Sequence, residues 1–149
     1  MTKSQLISFA AFGSFALLAS AFFFQFLGYA PCQMCLWQRY PHAAAIVIGI
    51  LALMFTRYQT ILAILGALAA LRTAYFGAYH TGVERGWWAG PDSCAGDGLS
   101  GSTDLLSTDI APIVMCDDVV WTFMGLSMAS YNAIFSFGLA IVWLIAARR

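Results

Sequence analysis

Four cysteines hold most of the chemistry this chain could perform. Cys32 and Cys35 form a C-x-x-C directly after Pro31, while Cys94 and Cys116 stand apart in a later segment. A C-x-x-C can close a small disulfide ring, and a sulfur near a helix start has its thiolate favoured by the positive end of the helix dipole. The spacing by itself serves zinc centres and redox centres alike. Four cysteines match the ligand count of a tetrahedral zinc site, although the second pair lacks the tight spacing such sites favour. Two structural disulfides are another reading, in which closing a Cys94–Cys116 loop contributes roughly 3 kcal/mol. A four-span scaffold with a cysteine-bearing outer loop is a third. Neither structural reading needs a C-x-x-C at a membrane edge, and the wide spacing of the second pair weighs against zinc, so a thiol–disulfide relay between the two pairs is the expected chemistry, with no metal.

Three ionisable residues join the cysteines. Arg39 follows Cys35 by four positions, which puts both on one face of a helix. A permanent cation there favours the Cys35 thiolate and can polarise a carbonyl of a bound acceptor; the plainer reading is an anchor snorkelling to lipid headgroups. Arg72 falls inside an apolar run, where a charge costs about 2.5–3.5 kcal/mol. It is either functional or a buried partner for helix-end carbonyls. His80, two turns further on, has a side chain that titrates near neutrality and could donate a proton to a reduced acceptor. His42 reads as helix filler near the interface.

The elements that position these residues follow from composition. Charged residues are 9% of the 149, against roughly 25% in soluble domains. Apolar residues reach 61%, so too little polar surface exists to cover a soluble core. No basic run suggests nucleic acid. Apolar stretches at about 6–27, 34–55, 60–80 and 122–147 each approach the roughly 20 residues that span a bilayer as helix. The second reaches that length only if its helix runs through Pro41. The prediction is an all-α integral membrane protein, a single domain over 1–149, with four transmembrane helices, one short outer loop and one long one at about 81–121. Trp87 and Trp88 read as an interfacial belt, and residues 104–115 as a segment lying against the membrane.

Charge sets the orientation. Lys3, Arg57, Arg148 and Arg149 flank span ends that share one side, which the positive-inside rule makes cytoplasmic. All seven acids lie between Glu84 and Asp118, so both cysteine-bearing segments face outward, where disulfides persist. Lys3 and Ala19-Ser20-Ala21 imitate a cleavable signal peptide, but Phe22 to Leu27 carry the apolar run to full membrane width.

Taken together, these residues resemble the DsbB family of bacterial disulfide-bond formation proteins along nearly the whole chain. Pro31-Cys32-Gln33-Met34-Cys35-Leu36-Trp37-Gln38-Arg39 is similar to the family's P-C-x-x-C-x-x-x-R signature. Arg72 with Tyr79-His80-Thr81 matches the end of its third span, and Trp121 follows the last cysteine as in the family. Met124-Gly125-Leu126-Ser127-Met128 resembles the start of its fourth span. Two departures are Gln38, where well-known members carry an acid, and a shorter outer loop. The resemblance implies an inner-membrane protein, both termini cytoplasmic, that reoxidises a periplasmic DsbA-type thioredoxin-fold partner. Electrons would pass to a membrane quinone, ubiquinone or menaquinone. It further implies that Cys94 forms the mixed disulfide with the partner and that the released Cys116 engages Cys32. Cys35 would face the quinone, with Arg39 and His80 beside the ring. Alternatives are another membrane thiol oxidoreductase, such as a vitamin K epoxide reductase-like protein, or a disulfide-stapled structural protein.

Overall fold

The computed structural model describes residues 1–94 and 115–149. Four helices make up most of them: α1 (Lys3–Phe26), α2 (Gln33–Met54), α3 (Gln59–Glu84) and α4 (Met128–Arg148). The segment 104–115, expected from the sequence to lie against the membrane, falls outside the described residues except for Met115.

Local sequence explains where the helices begin and end. Thr2 and Gln5 exchange side-chain and backbone hydrogen bonds in a capping box that opens α1. The Cys32 sulfur accepts from the Cys35 amide at the start of α2, and the Ser127 hydroxyl accepts from the Ser130 amide at the start of α4. α1 and α3 stop at glycines with positive φ, Gly28 at 99° and Gly86 at 67°. Behind them, Tyr29 N–H donates to Phe24 and Trp87 N–H to Gly82, the long bond of a Schellman turn.

α1 packs on α2 and α4, and α3 on α2 and α4, so four antiparallel helices close into a ring. Trp143 is fully buried at its centre, and a Cβ at Gly66 would come within 2.7 Å of the indole. Ala10, Ala52, Ala63 and Ala67 surround it. In lipid the hydrophobic effect gives little reason for helices to associate, so small residues that admit close backbone approach do this work.

One end of the ring carries both termini. Lys3 Nζ donates to Thr60 Oγ1 at 2.8 Å, Gln59 to Ser4 at 3.0 Å, and Arg149 to the Met1 carbonyl at 2.8 Å. These bonds draw the termini and the α2–α3 turn, with Arg57, together. The cysteines sit at the other end.

Among the described residues, three helical stretches are long and apolar enough to cross a membrane: Lys3–Phe26, Thr56–Glu84 and Met128–Arg148. α2 is not among them, because Gln33, Gln38, Arg39 and His42 dilute its first three turns.

The structure differs from the sequence expectation in three further places. α3 continues one turn past His80 to Glu84, as far as the positive-φ Gly86 lets it run, and the Trp88 ring packs against Gly82 in that last turn. α4 begins at Met128, six residues after the predicted start. The intervening Thr122–Phe123 and Leu126–Ser127 pair as a two-residue antiparallel hairpin, and Met124 and Gly125, both at positive φ, form its turn. Arg72 does not serve buried carbonyls; it is exposed, with its guanidinium 5.5 Å from the Phe76 ring.

Candidate functional site

The fold gathers all four cysteines at one end. Cys32, Cys94 and Cys116 are buried at 4%, 8% and 1% exposure and pack with Met34 and Val83 in one cluster, against which the half-buried Cys35 also rests. Cys94 and Cys116 are joined in a disulfide. Cys32 and Cys35 carry free thiols with sulfurs 2.8 Å apart. The sequence suggested two pairs in separate phases; in this state they lie against each other. The hydrogen bond with Cys35, reinforced by burial, pushes the Cys32 thiol up.

His80 stands between the pairs. Its Nε2 is 3.1 Å from the Cys116 carbonyl and 3.6 Å from the Cys32 sulfur. A carbonyl only accepts, so Nε2 carries a hydrogen, and Nδ1 accepts from Gln38 Nε2 at 2.9 Å. Gln38 Nε2 also donates to the Met34 carbonyl at 3.2 Å, which fixes the amide orientation independently. Gln38 Oε1 accepts from Asn132 Nδ2 at 2.7 Å, and Asn132 Oδ1 accepts from His42 Nε2 at 2.8 Å. A directed chain of buried and half-buried hydrogen bonds thus runs from His42 to Cys116, through three helices.

Glu84 lies one turn beyond His80, its carboxylate 3.9 Å from Nε2 and bonded by the Ser127 hydroxyl. Arg39 reaches across to α1, where Nη1 donates to Gln25 Oε1 at 2.6 Å and the guanidinium lies 4.8 Å from the Phe22 ring.

A cavity of about 380 Å³ opens among α1, α2 and α4. Its walls are mostly apolar, with Leu17, Phe24 and Phe135 among them. Cys32, Cys35, Arg39, His42 and His80 reach its surface from the remaining sides. The volume suits a small ring compound. A metal could find three ligand atoms in Cys32, Cys35 and His80, all within 4.8 Å of one another. A four-cysteine centre is a different arrangement, because the Cys94 and Cys116 sulfurs are bonded to each other.

The four cysteines, Arg39 and His80 lie together at this end; Arg72, the other ionisable candidate, lies apart from them on the exposed face of α3. His42 is not filler: it is 4% exposed and hydrogen-bonded to α4. Glu84, Gln38 and Asn132 were not read as site residues. Glu84 follows His80 at helical i,i+4 spacing, a usable signal; Asn132 offers only its polarity inside an apolar run.

Apolar helices long enough for a bilayer, carrying a disulfide packed on a dithiol, define a membrane thiol–disulfide oxidoreductase. The family described as "Disulfide bond formation protein DsbB" matches residues 3–146. The chain belongs to this DsbB family and is a multi-pass inner-membrane disulfide oxidoreductase acting in disulfide-bond formation. Disulfide bond formation protein B of Albidiferax ferrireducens is 30% identical across 97% of this chain and 90% of its own length. Disulfide bond formation protein B 2 of Pseudomonas aeruginosa is 29% identical, covering 89% and 83%. Disulfide bond formation protein B of Azoarcus sp. is 30% identical, covering 90% and 87%. No solved structure matches.

Proposed function

We propose that the chain reoxidises a periplasmic thioredoxin-fold dithiol of the DsbA type and passes the electrons to a membrane quinone. The observation that carries this reading is the stacking of the Cys94–Cys116 disulfide on the Cys32–Cys35 pair, which in turn borders an apolar cavity. One pair can meet a soluble thiol and the other a lipid-soluble oxidant.

In the first exchange, a partner thiolate attacks the Cys94 sulfur and the S–S bond breaks, releasing Cys116 as thiolate. The partner's second thiolate then displaces Cys94 and leaves oxidised. With Cys32 and Cys35 in their disulfide form, the Cys116 thiolate attacks Cys32 and releases Cys35 as thiolate. Attack by Cys94 on Cys116 restores the loop disulfide and leaves the dithiol at the membrane edge. His80 Nε2–H, 3.6 Å from the Cys32 sulfur, stabilises negative charge there. Arg39, one turn from Cys35, supplies a fixed cation on the cavity side.

The cavity suits a quinone by its volume, its mostly apolar walls and its unsatisfied groups. Among the described residues, Arg39 Nε and His42 Nδ1 are buried without hydrogen-bond partners, and both residues line it. When bound, a quinone accepts two electrons and two protons, which closes Cys32 and Cys35 to a disulfide.

We assign α2 as the fourth span. Its 22 residues reach about 33 Å, and Gln38 and His42 turn inward, where both hydrogen-bond to Asn132. The basic end with both termini is then cytoplasmic and the cysteines periplasmic. Counting free thiols in purified, reduced protein with and without added quinone tests the proposal. Loss of two thiols on quinone addition supports it; an unchanged count leaves the cysteines as staples.

A further inference from the structure

His42 carries a polar atom that the sequence of exchanges does not use. Its Nε2 is committed as a donor to Asn132 Oδ1, because Asn132 Nδ2 is itself committed to Gln38. The neutral ring therefore holds a bare lone pair at Nδ1, buried and unpartnered, in a residue that lines the cavity. Such an atom accepts a hydrogen bond from a hydroxyl and offers nothing to a carbonyl.

Its place on α2 matters as much as its chemistry. Cys35, Arg39 and His42 follow one face at intervals of four and three residues. Arg39 and His42 are one turn apart, about 4.5 Å of helix rise, and both line the same cavity. Resting on the quinone reading above, we infer that His42 is the second hydrogen-bonding station for the ring, and that it selects the hydroxyl-bearing, reduced form. Arg39 faces one oxygen and His42 Nδ1 receives the O–H on the other. In the overall step Cys32 and Cys35 close to a disulfide, and their two electrons and two protons convert quinone to quinol. A site that holds quinol more tightly than quinone draws that conversion forward. Asn132 acts as a positioning residue, since its amide turns Nε2 away from the cavity and Nδ1 toward use.

Binding without turnover tests this. In a Cys32→Ser, Cys35→Ser background, a short-chain benzoquinone and its quinol are titrated separately under argon, following quenching of tryptophan fluorescence, to which Trp121 in the cavity wall contributes. His42→Phe is expected to weaken quinol binding about tenfold, the size of one lost hydrogen bond, and quinone binding less than twofold. Asn132→Leu, which keeps the imidazole but frees its orientation, is expected to show the same bias to a smaller degree. Equal losses for both forms, or no loss in either variant, would overturn the role of His42. If the parent protein binds neither form, the quinone reading itself fails, and this inference with it.

Discussion

One N–H of His80 reaches both cysteine pairs, donating to the Cys116 carbonyl at 3.1 Å while standing 3.6 Å from the Cys32 sulfur. The imidazole is therefore a tie between the outer segment and α2 as well as a neighbour of the reacting sulfurs.

Removing that tie should cost stability and exchange together. His80→Phe leaves the Cys116 carbonyl and one Gln38 N–H without partners, each a loss of about 1–3 kcal/mol when buried. Gln38→Leu should destabilise comparably, by stranding His80 Nδ1 and Asn132 Nδ2, yet leave the His80–Cys116 bond possible. Thermal unfolding in detergent measures the first effect. The rate of disulfide transfer between the pairs separates the variants: His80→Phe should be slower than Gln38→Leu.

The order of exchange is open to trapping. Cys116→Ala removes the thiol that Cys94 would otherwise release and recapture, so a covalent complex between Cys94 and a thioredoxin-fold partner should accumulate. Cys94→Ala should yield none. Equal trapping by both variants on non-reducing gels would show the roles to be misassigned.

Arg39 is tethered to α1 through Gln25, which holds its charge over the cavity. Arg39→Lys keeps the charge but loses the planar fork, and should weaken quinone use moderately. Arg39→Met should weaken it about tenfold to a hundredfold, as expected for a charge-assisted hydrogen bond of roughly 1.5–3 kcal/mol. A quinone titration of turnover reads both, and quinone-free exchange with the soluble partner should stay nearly unchanged.

The raised Cys32 thiol has a signed consequence. In the reduced protein it stays protonated above 9.0, the ordinary thiol value, whereas the unfolded chain ionises there. Its contribution to stability is present below that pH and fades above it. The unfolding temperature of reduced protein, taken one unit either side of 9.0, should fall more than that of Cys32→Ala. Alkylation should also reach the half-buried Cys35 before Cys32; the reverse order by mass spectrometry would contradict the environment described for the pair.

Much of this was legible in the sequence, for definable reasons. Apolar runs mark α1, α3 and α4, and the C-x-x-C with Arg39 one turn later marks the site. What escaped depends on contacts between helices. The His42–Asn132 bond joins residues 90 positions apart, and hydropathy registers each only as a polar interruption. Hydropathy alone puts the start of α4 too early, because Phe123, Met124 and Leu126 extend the apolar stretch backward. Gly125 and the cap at Ser127, rather than hydropathy, mark the true beginning.

The docked disulfide also bears on which reductants the protein can consume. Cys94 and Cys116 offer 8% and 1% of their surface to solvent, so a small free thiol diffusing past has almost no sulfur to strike. A partner that docks first has binding contacts to set against the cost of exposing the sulfur, and glutathione has almost none. Shelter of this kind would keep the oxidising equivalents from being discharged by whatever thiols happen to be in the compartment, and reserve them for a reductant that binds first. Glutathione should accordingly reduce the loop disulfide slowly in the folded protein and quickly once detergent or urea has undocked it.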